Sequence, residues 1–452
     1  MHRPLLILSL TFLCLGSQVA LSDTVLEAKA IRFVELLSQE EFASAYERFS
    51  PTMKQALPVK KLRAAWEAQQ KKMGAFQKSA GTRSERLGDY HGIYVTCQFE
   101  KQQLEVNVVY DTDGLISGLF FLPGAPSGYK VPAYVRPDTF QTVEVEIGEE
   151  GWALPGTLTI PIGEGPFPAV VLVHGSGPQD RDETIGPNKP FRDLAEGLSS
   201  NGILVLRYDK RTKTHSRKFQ HLNSFTVMDE TVEDAQAAVH FLKKRQDVRQ
   251  TRLFVLGHSL GGMVLPRIAE GVPDTTGFIF LAAPARPLED LMLEQTQYQA
   301  SLLPDLASKT IALMQLTTLQ QQVESIKALK PSGPQEEKFL LGAPAPYWLD
   351  LASHPLMKGV QKMENRMLFL QGEKDCQVSY EHDYGALKEA LDKQRHTSFL
   401  SYPTLNHLFI NVEGKSTGKE YLRPGNVCAD VVNDIVQWMH TTEEPYQMSP
   451  AK

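Results

Sequence analysis

Cysteine is scarce in this chain: 452 residues contain 4, at positions 14, 97, 376 and 428. So few exclude a disulfide framework, and their spacing is not that of metal ligands. A single Cys376–Cys428 bridge stays open, with nothing in the sequence to favour it. Excess charge of one sign is also lacking. The formal net charge is −6, which argues against a general binder of nucleic acid or anionic membrane. No stretch reaches the roughly 18 consecutive apolar residues of a stable membrane span. What is present is ordinary for a globular protein, 42% hydrophobic and 22% charged residues, in a chain long enough for two to three domains.

The N-terminus is the one short apolar exception. His2 and Arg3 precede an apolar core from Leu5 to Leu15, and Ala20-Leu21-Ser22 offers small residues at a cleavage spacing. Residues 1–22 are therefore expected to be an export signal, giving a secreted or periplasmic mature form. An uncleaved anchor is the alternative. Cys14, behind Leu13, is a poor match to a lipoprotein cleavage site.

Residues 23–122 predict a small α+β domain. Val25, Leu26, Ile31, Val34 and Leu37 share a helical face, and 59–73 is a second amphipathic stretch. The period then shortens: Ile93 to Phe99, Leu104 to Tyr110 and Leu115 to Leu122 read as strands, with a turn signal at Asp113-Gly114. No acid–base pair there points to an enzyme, so binding or scaffolding is expected. Pro123, Pro126, Pro132 and Pro137 mark a linker over 123–140.

From 141 to 445 a larger α/β domain is expected. Residues 141–147 and 152–160 predict antiparallel edge strands, with a bend at 155–157. Strand and helix then alternate: 169–173, 190–200, 203–206, 227–245, 253–256, 278–282, 367–370, 381–393, 397–402 and 427–440. That rhythm predicts a mostly parallel sheet with helices on both faces. Residues 285–360 interrupt it and read as a helical cap, whose Leu316, Leu319, Val323 and Ile326 either pack helix on helix or line an acyl pocket. Pro266 predicts a kink in the helix after residue 259. Arg207, Lys210, Arg211, Lys213, Arg217 and Lys218 crowd one loop, expected to be solvated, with attraction of an anionic substrate as the second choice.

The chemistry centres on Gly257-His258-Ser259-Leu260-Gly261. This fits G-x-S-x-G, a pattern expected by chance about 0.15 times in a chain of this size at average composition. The apolar strand before it and the helical stretch after it raise its weight, because a serine on a sharp strand-to-helix turn presents its hydroxyl. A serine hydroxyl needs a base and a group that orients the base. In the chain order serine, acid, histidine, Asp375 and His407 stand just past the strands 367–370 and 397–402. The serine, the acid and the histidine thus all sit at the carboxyl edge of the sheet, where open α/β sheets place ligands. Glu373 and Asp383 are the rival acids. His258 is expected to pack, His174 to brace a loop, and His382 and His396 to be solvated. The negative oxygen of the transition state needs fixed donors. The backbone N–H of Leu260 is one, and the N–H of Ser176, in His174-Gly175-Ser176-Gly177, is the other.

Together these blocks resemble the α/β-hydrolase superfamily over about residues 140–440. His174-Gly175-Ser176-Gly177-Pro178, Arg181-Asp182-Glu183-Thr184, Gly186-Pro187-Asn188-Lys189-Pro190 and Arg207-Tyr208-Asp209-Lys210-Arg211 look like a bacterial carboxylesterase subgroup, itself similar to serine aminopeptidase-type and dienelactone-hydrolase-type sequences. Residues 23–122 resemble the small cystatin-like or nuclear-transport-factor-like domain placed before some bacterial hydrolases. The resemblance implies hydrolysis of a small-molecule ester through an acyl-enzyme, with no cofactor. Thioester or peptide cleavage on the same residues is the alternative, and from another class a binding protein that kept the fold. Arg181, Asp182 and Lys210 are expected to fix the loop that carries the Ser176 amide.

Overall fold

The computed structural model describes residues 23–441 apart from 88–89, 124–128, 221, 223, 304–305 and 332–338. The expected export signal, residues 1–22, lies outside the described residues. The chain divides into two compact units, Met1–Ala125 and Pro126–Lys452.

In the first unit the helices Asp23–Ser38, Phe42–Tyr46, Pro51–Ala56 and Val59–Met73 precede four strands, β1 (Phe76–Leu87), β2 (Tyr90–Phe99), β3 (Gln103–Tyr110) and β4 (Ile116–Pro123). They form one antiparallel sheet in that order. Leu26, Phe33, Val34 and Leu37, at helical spacing, are buried with Trp66 against Val95, Cys97, Phe99, Val106 and Val108, at strand spacing. The turn before β4 closes at Gly114, whose φ is 72° and whose N–H donates to the Asp111 carbonyl at 3.0 Å. Strand β1 has no counterpart among the strands expected from the sequence. Its sequence is mostly polar without alternation, and it lies at the sheet edge, paired to β2 alone.

The second unit carries, in chain order, β5 (Phe140–Ile147), β6 (Leu154–Pro161), β7 (Phe167–Val173), β8 (Leu204–Tyr208), β9 (Val248–His258), β10 (Gly277–Leu281), a short hairpin of β11 (Phe339–Leu340) and β12 (Ala343–Pro344), β13 (Arg366–Gly372) and β14 (Thr397–Tyr402). Eight of these form one sheet in the order β14-β13-β10-β9-β7-β8-β6-β5. Pairing is parallel from β14 to β8, while β6 and β5 run antiparallel at one edge. Both faces are covered, which explains the unbroken apolar run Ala169–Val173. Val170 and Leu172 meet Phe191 and Trp438 on one side; Val171 and Val173 meet Ala238 and Leu265 on the other.

Five local expectations are corrected. Residues 155–157 do not bend away: Pro155 and Gly156 stay in register with Glu146 and Val145. Pro266 breaks the helix into Leu260–Met263 and Leu265–Gly271, because a proline fits the first turn of a new helix but not the interior of an old one. The helix expected over 227–245 is a π-turn, Met228–Val232, followed by Glu233–Lys243, and 381–393 likewise opens with a π-turn, Tyr380–Tyr384. The basic loop is not all solvated, since Arg207 and Lys210 are buried.

Between β10 and β13 lies the insert, built on Leu288–Ser301, Leu306–Lys327, Ala345–Ser353 and Leu356–Val360. The two long helices pack on each other. Leu316, Val323 and Ile326 are buried, and Leu319 is half-buried.

Candidate active site

Ser259 stands between β9 and the helix Leu260–Met263, with φ 53° and ψ −119°. Few residues with a side chain tolerate this backbone, so the surroundings must hold it. Glycines permit the close approach. A Cβ on Gly257 would collide with the Gly261 carbonyl, and one on Gly261 with the carbonyls of Val173 and His174. The Ser259 N–H donates to the Leu281 carbonyl at 2.9 Å. Residues on either side are buried, while Ser259 keeps intermediate exposure.

Two later loops meet beside it. Gly372, at the end of β13, packs so tightly on the Leu405 and Asn406 carbonyls that no side chain would fit. The Glu373 and Lys374 N–H groups donate to Tyr402 and Leu405, both at 2.9 Å. Asn406 closes the second loop, its Oδ1 accepting the N–H of Leu408 at 3.0 Å and of Ile410 at 3.1 Å. The result is a 2.7 Å hydrogen bond between His407 Nδ1 and Asp375 Oδ2. The Asp375 carboxylate is fully buried but well supplied with donors. Gln377 N–H and Val378 N–H reach Oδ1 at 2.7 and 3.0 Å, and Gln371 Nε2 reaches Oδ2 at 3.0 Å. The His407 ring lies 4.6 Å, centroid to centroid, from that of His258, the residue before Ser259. Among the described residues no hydrogen bond joins the Ser259 hydroxyl to His407; in a free enzyme such contacts are often long and tighten on substrate.

Both expected donors lie close to the serine. Leu260 opens its helix, so its N–H has no carbonyl one turn back within it. Gly175 backs onto the serine, a Cβ there falling 3.2 Å from the Ser259 Cβ. Among the described residues no hydrogen bond uses the N–H of the next residue, Ser176. Gly175 itself is held at both ends. Its N–H donates to Glu183 Oε1 at 2.7 Å, and its carbonyl accepts from Lys210 Nζ at 2.9 Å.

Residues 166–413 match the family described as serine aminopeptidase, S33. Esterase EstD of Thermotoga maritima is 39% identical over 413 residues, 91% of this chain and 95% of that protein. The chain belongs to this family of α/β-hydrolases. The hydrolase is carboxylesterase-like, and its residues 30–119 match a family described as protein of unknown function (DUF3887). Among solved structures, Est1E from Butyrivibrio proteoclasticus is 16% identical with TM-score 0.42, covering 66% of this chain and 98% of that one. The Pyrococcus furiosus esterase PF2001 is 15% identical with TM-score 0.40, covering 66% and 90%.

In the hydrolase the rival acids are engaged elsewhere. Glu373 Oε1 accepts from Ser401 Oγ at 2.8 Å. Asp383 is buried, accepting from Arg286 and from the N–H groups of Ala285, Arg286 and Ser379. His382 and His396 are exposed. His174 is buried between Phe191 and Tyr208, and burial pushes its imidazole down to about 4. Cys376 and Cys428 are unbridged; Ser416 Oγ donates to Cys376 Sγ at 3.3 Å. Among the described residues no group of three His, Cys, Asp or Glu is placed to hold a metal ion.

Two acids to which the sequence assigns no role join the site. Glu183 Oε2 lies 2.9 Å from His258 Nδ1, without the alignment of a linear hydrogen bond, and both are buried. Burial opposes both charges. Their mutual attraction outweighs it, holding the Glu183 carboxyl below its ordinary range and the His258 imidazole above. Glu230, in the π-turn, pairs with Lys210 at 3.0 Å and accepts from the Tyr347 hydroxyl at 3.0 Å. A π-turn at the start of a helix has no sequence signature, but a buried lysine demands an acidic partner. Arg181 and Asp182, expected to fix the Ser176 loop, pair with Asp209 and Arg207 at the end of β8, which ties the stretch after Ser176 to the sheet.

Proposed function

We propose that the hydrolase is a cofactor-independent serine carboxylesterase working through an acyl-enzyme. His407 Nε2 takes the proton of Ser259 as its Oγ bonds to the acyl carbon. The negative oxygen is met by the N–H groups of Leu260 and Ser176. As the ester C–O bond breaks, His407 returns the proton to the leaving alcohol. Water, deprotonated by the same imidazole, then attacks the acyl carbon and frees the acid and Ser259. Asp375 keeps the Nδ1 proton on its own side, which leaves Nε2 free as the base.

The observation that carries this proposal is the 2.7 Å bond between His407 and a buried, donor-saturated Asp375, on a loop packed beside the strained Ser259 turn. The EstD relative, described as an esterase, favours oxygen esters over the aminopeptidase chemistry that the family description mentions. The test is covalent labelling with a fluorophosphonate, followed by hydrolysis of a panel of p-nitrophenyl esters, thioesters and aminoacyl amides. Labelling and ester turnover both lost in Ser259→Ala are expected. A Ser259→Ala protein that still turns over esters would overturn the serine mechanism, and preference for the amides would replace the substrate class.

A further inference from the structure

Two buried charged side chains, each backed by a buried partner, converge on a single glycine outside the Ser–His–Asp row. Lys210 is 2% exposed, among the largest fully buried side chains of the described residues, and Glu183 is 2% exposed. Burying such groups is costly unless each is paired and hydrogen-bonded. Each is paired, and each spends a hydrogen bond on one end of Gly175: Glu183 on the N–H at 2.7 Å, Lys210 on the carbonyl at 2.9 Å. The partners lead outward to different parts of the site. Behind Glu183 is His258, whose Nε2 donates to the backbone carbonyl of His407 at 3.0 Å. Behind Lys210 is Glu230, which accepts from Tyr347 of the insert at 3.0 Å. The π-turn over Met228–Val232 is what places Glu230 there.

We propose that Glu183 and Lys210 are positioning residues that clamp the Gly175 peptides and so aim the Ser176 N–H at the reacting oxygen, with His258 tying the clamp to the His407 loop and Tyr347 tying it to the insert. This inference rests on the serine mechanism above. The physical basis is that an oxyanion donor acts only if its direction is fixed before the charge forms. A peptide plane held at one end can pivot; held through both neighbouring groups it cannot. The link through Glu230 and Tyr347 also makes the donor's direction depend on where the insert sits, so that a substrate seated under the insert and the donor that serves it are set together.

The experiment compares Lys210→Met, Glu183→Ala, Glu183→Gln and Tyr347→Phe with the parent. The readouts are kcat and KM on a short p-nitrophenyl ester, and inhibition by phenylboronic acid. The boronic acid forms a B–O bond to Ser259, whose proton passes to His407, and presents a tetrahedral anion to the donors. Lys210→Met and Glu183→Ala should lose about ten- to hundredfold in kcat, with KM within about twofold. Inhibition by the boronic acid should weaken by the same factor. Glu183→Gln, which still accepts from the Gly175 N–H, should recover part of the loss. Tyr347→Phe removes one hydroxyl and nothing from the sheet, so it remains informative if Lys210→Met fails to fold; a severalfold fall in kcat is expected. Folded variants with kcat within twofold of the parent, or a fall in kcat without weaker boronate inhibition, would overturn the clamp. Ser259→Ala separates the two levels: if it alone is inactive and the clamp variants are normal, the clamp fails and the serine mechanism stands.

Discussion

Asp375 shows how much one side chain's role depends on its donors. Its two oxygens receive Gln371, Gln377, Val378 and His407. Asp375→Asn keeps the shape but turns one oxygen into an NH2 group. Whichever way the amide turns, it meets a donor, and facing His407 it forces the imidazole into the tautomer whose Nε2 carries the proton. Folding should survive, while kcat on a p-nitrophenyl ester should fall by about 10³–10⁴. His174 gives a pH dependence. Burial lowers its pKa from 6.5 to about 4, so between those values the unfolded chain takes up a proton that the folded protein refuses. Stability is therefore full above about pH 6.5 and is lost as pH falls toward 4, a contribution on the order of 3 kcal/mol. Urea midpoints measured from pH 7.5 to 4.5 should fall less steeply in His174→Gln, which cannot titrate. The places of Ser259, Asp375 and His407 just past apolar strands were legible in the sequence, because those strands are local facts. Glu183 was not. It sits in a loop of alternating charge, and only the fold reveals that its neighbour in space is His258.

At the scale of elements, the strand–helix alternation was readable because both faces of the sheet are covered and its strands are nearly pure apolar runs. Strand β1 and the two π-turns were not, for opposite reasons. Strand β1 is mostly polar, so no apolar alternation marks it, and a π-turn differs from an α-helix by one register step that apolar spacing does not record. The Ser259 turn also separates two kinds of glycine. Gly261 faces backbone carbonyls of β7 and its loop, which do not move without moving the sheet. Gly177 has φ 85° but open space around the site of a Cβ. Gly261→Ala should therefore cost about 3 kcal/mol or more and abolish ester turnover with it. Gly177→Ala should cost only the left-handed backbone penalty, about 1–2 kcal/mol. Thermal unfolding of the two variants side by side checks the contrast; equal losses would mean that steric collision is not what keeps the turn.

The whole molecule divides its labour unevenly. Every group assigned to bond-making or to aiming it, from Gly175 through Ser259 to His407, belongs to the unit Pro126–Lys452. The first unit has its own core, centred on Trp66, Phe33 and Phe99, and its own closed set of strand pairings. No step of the proposed ester cleavage calls on it. A chain from residue 126 onward should accordingly retain the cooperative unfolding transition of the α/β unit and hydrolyse a small soluble ester with kcat within about threefold of the full chain. Calorimetry and steady-state kinetics on both chains measure this. A truncated protein that folds but loses turnover tenfold or more would place part of the active geometry in the first unit. A truncated protein with unchanged kcat on small esters but poor turnover of bulky or polymeric ones would assign the first unit to substrate capture.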